Sequence, residues 1–240
     1  MTRFQDYFIE QVNIFNECHS NLLKETTKED IHKLRTTIKR LKTFNILLDG
    51  LLFRQKDFPN GLSNLFKMLG SIRDIQIQQK ILEDYNENFY SKYLSYSYEH
   101  QISKFTIKDS FKEELQYLND KLDKVEDYHI DEQIIANIKT MIELGYDDIR
   151  QMISNVSPGI IHEIRTKFKR IYYNRLMLGE SEDIDKLYNI QESIGLWHDY
   201  DVTIKDMKNF DKYLTVDVIK LLAKKRDSLY NESLELIKSL

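Results

Sequence analysis

Two basic decapeptides carry the first chemical signal in this chain. IHKLRTTIKR spans Ile31–Arg40 and IHEIRTKFKR spans Ile161–Arg170, and they share Ile, His, Arg, Thr, Lys and Arg in register at an offset of 130 residues. On a helix turning about 100° per residue, His32, Arg35, Lys39 and Lys42 fall within an arc of roughly 80°. Ile31, Leu34, Ile38 and Leu41 fill the neighbouring arc, while Arg40 points to the other border. The second copy sets His162, Arg165 and Lys169 on the same stripe, with Arg170 matching Arg40 and Tyr172 standing where Lys42 stood. From His32 to Lys42 the ridge is about 15 Å long. Guanidinium and ammonium groups in a row suit charge-assisted hydrogen bonds to oxyanions. Basic residues on helices are usually solvated and paired with acids one turn away. Here the positions four residues before and after Arg35, Lys39, Arg165 and Lys169 hold no acid.

The charge is segregated. Residues 31–48 hold five Lys/Arg and no acid, and residues 161–178 hold five Lys/Arg and one acid, Glu163. Those two stretches carry +9, so in a chain of net charge −4 the remainder carries −13. Such sorting focuses a local positive field on an acidic protein.

A second pair of segments repeats in the same order. LGSIRDIQI (Leu69–Ile77) aligns with IGLWHDYDV (Ile194–Val202), with Asn64 and Asn189 upstream. The offset is now 125, so the halves differ by a five-residue deletion between motifs. An internal duplication follows. Arg73 adds a cation in the first of these motifs, and His198 takes its place in the second. Asp74 and Asp199, at equivalent positions, are expected to orient ridge cations. Gly70 and Gly195 are expected to allow close helix approach. Trp197 is expected in the core or in a cavity wall, and the tyrosines at 90–98 are expected to pack.

Other chemistries find less support. Glu29-x-x-His32 has the spacing of a bundle di-iron ligand pair, but Gly159 stands at the matching place before His162, so no metal site is expected. The chain shows no phosphate-cradling glycine loop and no clustered acids at magnesium-binding spacing. No nucleophile–base pair can be assembled from its six histidines and one cysteine, so no catalytic residue and no cofactor are expected. Cys18, the single cysteine, excludes an internal disulfide and is expected to pack as a small apolar group. No apolar run approaches a membrane span, and the N-terminus lacks an apolar signal core, so a soluble cytoplasmic protein is expected.

Helices must position the ridges. With 7 Gly and 2 Pro in 240 residues, punctuation is sparse and long helices are favoured. Apolar periodicity predicts helices over about 4–25, 28–50, 62–88 and 90–125, the last with a candidate interruption near Ser103–Asp109. Thr27 offers an N-cap with Asp30 in capping-box spacing. The pattern restarts with helices over about 131–154, 158–179, 182–212 and 215–239. Ser157-Pro158 opens the second of these and Gly179 ends it. The expected architecture is all-α: repeat 1 over about 1–125 and repeat 2 over about 130–240, four helices each, packed as one domain.

The doubled H-x-[LI]-R-x-x-x-K-R, each followed by [LI]-G-x-x-x-D, resembles the conserved histidine α-helical domain, the CHAD family, over essentially the whole chain. The resemblance implies two four-helix bundles about a pseudo-twofold axis, with basic helices lining a central positive cavity. It implies inorganic polyphosphate as the ligand, in some members at polyphosphate granules. Carried over by position, the binding residues are His32, Arg35, Lys39, Arg40, Lys42 and Arg73 in the first half. In the second they are His162, Arg165, Lys169, Arg170 and His198. This chain is poorer in arginine than the family pattern, which bears on affinity. The alternatives are another polyanion, such as a nucleic acid or nucleotide phosphates, or an enzyme acting on polyphosphate. A nucleic acid is disfavoured because aromatic residues are not interleaved with the cations.

Overall fold

A computed structural model of the chain describes residues 3–51, 57–85, 89–126, 131–154, 157–180, 183–209 and 216–239. Among them the regular structure is entirely helical: α1 Arg3–Leu22, α2 Lys28–Leu51, α3 Asn60–Leu82, α4 Phe89–Lys104, α5 Lys112–Glu126, α6 Asp131–Ile153, α7 Pro158–Leu178, α8 Ile184–Lys208 and α9 Val216–Lys238. A 3-10 turn at Glu83–Tyr85 follows α3. The periodicity places most of these helices within a few residues. The ends expected at 86–88 and 210–212, and most of the join at 124–131, lie outside the described residues.

The fourth expected helix is two helices, so the first half holds five rather than four. Residues 105–111 break it. Thr106, Asp109 and Ser110 offer side chains that compete for backbone hydrogen bonds, and the Ser110 hydroxyl accepts from the Lys112 N–H at 3.1 Å as α5 begins. His19 Nε2 lies 2.7 Å from the Lys108 carbonyl oxygen, tying the break to α1.

Local signals elsewhere act as read. The Thr27 hydroxyl accepts from the Asp30 N–H at 3.1 Å and donates to the Asp30 carboxylate at 2.6 Å. That hydroxyl is the main cause holding the Asp30 carboxyl below the ordinary carboxylate range. At α7 the Ser157 side chain accepts from the Ile160 N–H at 3.4 Å. Gly179, at φ 59°, ends the helix in a left-handed conformation, and the Glu180 N–H reaches back to the Arg175 carbonyl at 3.1 Å. That bond and the left-handed φ fit the glycine-terminated helix stop.

Contacts divide the described chain into two compact units. The first comprises residues 1–73, 101–141 and 177–179, and the second 74–100, 142–176 and 180–240. These units do not follow the repeat boundaries expected from the sequence, because α3, α4, α6 and α7 each contribute to both. In the first unit α1 packs along α2 and α5 packs on both. Phe4, Phe8, Phe15 and Leu22 of α1 are buried, as are Ile31, Leu34, Ile38, Leu41 and Phe44 of α2. Phe8 stacks on Phe44 at 5.6 Å between ring centroids. Cys18 is buried, and that burial pushes its thiol up to about 11, the pKa of an inert packing group. In the second unit α8 packs along α9, and Ile161, Ile164, Phe168 and Ile171 form the buried seam of α7.

The first unit also contains a buried ion pair that periodicity does not reveal. Lys121 is 2% exposed and Asp49 1% exposed, with Nζ 2.5 Å from Oδ1. Lys121 Nζ donates further to the Asn45 side chain at 2.9 Å and to the Asp57 carbonyl at 3.1 Å. The second oxygen of Asp49 accepts from Asn45 at 2.9 Å and from the Asp57 N–H at 3.0 Å. The network therefore ties α2, α5 and the segment before α3 to one another. Removing one partner strands a buried charge, at a cost of about 3–5 kcal/mol. Lys121→Met should lose that much in urea denaturation, and Lys121→Met/Asp49→Asn should recover part of the loss.

Candidate functional site

The two ridges sit on α2 and α7, at the border of each helix's buried seam. On α2, Ile31, Leu34, Ile38 and Leu41 are buried. Arg35 and Lys39 are half-buried beside them, while His32 and Lys42 are exposed at the two ends. Arg35 Nη1 donates to the Phe66 carbonyl on α3 at 2.7 Å. The guanidinium carbon lies 4.3 Å from the centroid of the Phe66 ring, and Lys39 Nζ lies 5.8 Å from it. One turn after Phe66, a Cβ on Gly70 would stand 2.7 Å from Arg35 Nη1. The glycine is what lets the guanidinium lie across the helix.

The second unit builds the same arrangement. Arg165 Nε donates to the Gln191 carbonyl on α8 at 3.4 Å. A Cβ on Gly195 would stand 2.6 Å from Arg165 Nη2 and 3.2 Å from its guanidinium carbon. In each unit, then, the basic motif and the glycine motif meet through one contact: an arginine laid over a glycine and bonded to the carbonyl four residues earlier. The settings differ in one respect. Phe66 gives the first arginine a ring to stack on, and Gln191 stands in that place in the second.

Charge is distributed around Arg165 from the facing helix. Burial works against its positive form and lowers its pKa, while Asp199 and Glu192 oppose that effect. Burial likewise raises the Asp199 carboxyl, with Arg165 and Lys169 pulling it back down. Arg165 and Lys169 are thus the cations whose charge acts on Asp199. His198 lies against His162, with ring centroids 4.8 Å apart and planes tilted by 41°. Burial, then Arg165 and Lys169, hold the His162 imidazole below its ordinary value. Burial, then His162 and Arg165, push His198 down to about 4. Both rings are neutral near pH 7.

Not every sequence candidate joins these clusters. Arg40 turns to the other border of α2 and donates to the Gln11 side chain of α1 at 3.2 Å, a packing role. Arg170 is exposed, and Arg73 is half-buried on α3. Tyr172, in the place of Lys42, packs at 6.2 Å from the Tyr188 ring. Glu29 is paired with Lys33 at 2.8 Å. Trp197 is buried, 5.7 Å from the Tyr230 ring and 6.2 Å from that of His198. The tyrosine cluster divides. Tyr90 packs and donates to Gln78 at 3.1 Å, whereas Tyr93 and Tyr96 are 42% and 69% exposed, because a continuous helix cannot bury every face. Sequence reasoning missed Phe66 and the carbonyls of Phe66 and Gln191. Their one available signal was position, one turn ahead of each motif glycine.

Two outcomes follow. Gly195→Ala should displace the Arg165 guanidinium while changing stability by no more than about 1 kcal/mol, since the gain of a helix-interior alanine offsets the lost hydrogen bond. Urea denaturation with a structure of the variant checks this. The lowered histidines set a pH window. Between about pH 4 and the unfolded value near 6.5 the unfolded chain binds more protons, so stability is full above that window and is lost as pH falls through it. His198→Gln should flatten the profile of stability against pH.

Comparison with known proteins identifies the fold and the family. A crystal structure of the CHAD domain from the plant Ricinus communis matches with a TM-score of 0.66 at 14% identity, covering 99% of this chain and 89% of that one. That likeness concerns the fold. No curated protein matches the chain. The CHAD-domain family model matches residues 6–205, and the chain belongs to the CHAD family.

Proposed function

We propose that this protein binds inorganic polyphosphate, without catalysis, through the basic ridges of two duplicated helical repeats. The observation that carries the reading is the arrangement built twice: Arg35 over Gly70 and Arg165 over Gly195, each with a lysine one turn along. A guanidinium pinned by a backbone carbonyl is pre-organised, so less entropy is lost when it meets an oxyanion. Polyphosphate offers one negative charge per residue and no base to read, so recognition rests on such charge-assisted bonds. Each is worth about 1.5–3 kcal/mol before desolvation. On this reading the ligand residues are His32, Arg35, Lys39, Lys42 and Arg73, with His162, Arg165, Lys169, Arg170 and His198 in the second repeat. Arg40, engaged with α1, contributes packing. The binding reading takes His162 and His198 as ligands, since they lie against each other with cations acting on both. The place of action is the cytoplasm, at polyphosphate granules where cells form them. None of the described helices is long and apolar enough to cross a membrane.

One observation favours a second polyanion, single-stranded RNA. Phe89, Tyr93 and Tyr96 expose their rings along α4, and exposed rings can stack bases. Competition separates the two readings: RNA that displaces polyphosphate at equal phosphate concentration favours the second.

Long-chain polyphosphate should raise the melting temperature at low salt. Raised salt should abolish the shift, as counterion release requires, and so should Arg35→Glu/Arg165→Glu, with circular dichroism confirming that the variant is folded. No shift for the folded wild type at low salt would remove the polyphosphate assignment. Release of orthophosphate during the assay would replace binding by catalysis.

A further inference from the structure

The repeat alignment sets an arginine against a histidine at one position. Arg73 of the first glycine motif corresponds to His198 of the second. Arginine stays charged at any pH a protein survives, whereas an imidazole titrates within the physiological range.

The surroundings of His198 make that difference matter. Its ring meets the His162 ring of α7 at 4.8 Å, and the ring of buried Trp197 lies 6.2 Å from it. Arg165 acts on both imidazoles, Lys169 on His162 and Lys205 on His198. The acid that acts on His198 is Asp201, and its carboxylate also pairs with Lys205 at 2.6 Å and Arg226 of α9 at 3.6 Å. The charge of Asp199 is answered by Arg165 and Lys169, with Asp74 of α3 and Glu192 the other acids near it. Two imidazoles thus meet with His198 half-buried on α8 and His162 exposed on α7, and Arg165 acts on both. An incoming oxyanion would meet both rings beside that guanidinium.

We propose that His162 and His198 form a phosphoryl-oxyanion subsite, anchored by Arg165, that takes up protons together with its anion. The subsite rests on the polyanion reading above and specifies how the second repeat takes part in it. In the empty protein the neutral rings add no repulsion to Arg165 and Lys169. When a phosphate-class anion arrives, protonation converts each ring into a donor from both nitrogens, and the anion's charge stabilises the imidazolium. At the position matching His198 the first repeat has Arg73, whose charge is permanent. Binding at the second repeat therefore weakens as pH rises, by up to about tenfold per pH unit for each proton taken up.

Titration calorimetry of the full chain with long-chain polyphosphate tests this, since the interior phosphates of that ligand stay ionised across the range used. Runs near pH 6 and pH 7, each in two buffers of different ionisation enthalpy, count protons directly. The expected result is net proton uptake, with affinity falling about tenfold between the two pH values if one proton is taken up. His198→Arg should bind with reduced uptake and a flatter pH profile, and His162→Asn, which keeps a polar side chain on the surface of α7, should also show reduced uptake. Wild-type binding with heats independent of buffer overturns the subsite and leaves polyphosphate binding standing. Uptake unchanged in both variants also overturns it, because the protons would then come from elsewhere. A folded chain that binds no polyphosphate at either pH overturns both readings.

Discussion

An arginine can lie flat on a helix only where that helix leaves room for it. A guanidinium is broad, planar and permanently charged, and any Cβ beneath it would occupy its space. In this protein the room comes from Gly70 and Gly195, where an added Cβ would stand 2.7 and 2.6 Å from a guanidinium nitrogen. Once the arginine is down, a backbone carbonyl fixes its direction. The lysine one turn along then lies on the same border of the buried seam. The buried apolar stripes of α2 and α7 hold the ridges at that border, so cations stand beside the core and yet remain partly in water. The placement of both ridge arginines depends on this one steric allowance.

The two arginine–glycine contacts sit in different surroundings. The first arginine stacks on Phe66, a cation–π contact worth about 0.5–1 kcal/mol or more when desolvated. The second is flanked by two histidines and two acids of α8. The first arginine thus lies against an aromatic ring, while the second has the charges of Asp199 and Glu192 acting on it.

Stability is handled by different residues. The Lys121–Asp49 pair is buried in the first unit with its hydrogen bonds satisfied by Asn45 and Asp57. The ridge cations remain partly solvated, so their mutual repulsion is screened. Arg40 shows how the two tasks divide within one motif. It is identical in both decapeptides, yet the structure sends it across α1 to Gln11, because a step of one residue along a helix rotates the side chain by about 100°.

Much of this was legible in the residues. Helix positions, the Thr27 and Ser157 caps, the Gly179 stop, the ridge of His32, Arg35, Lys39 and Lys42 and its second copy all follow from periodicity and spacing within one segment. Those signals are local: a period of 3.6 residues, or a cap three residues from its partner, needs no knowledge of other helices. The break at 105–111 was only half legible, since Thr106, Asp109 and Ser110 compete with the helix but do not by themselves end it. The sequence also placed an arginine motif and a glycine motif in each half without saying that they touch. That the Phe66 and Gln191 carbonyls accept the arginines, that His162 meets His198, and that Lys121 finds Asp49 were decided by tertiary structure alone. Each depends on the crossing and register of two helices distant in sequence, where a shift of one residue would present a different side chain to the same neighbour.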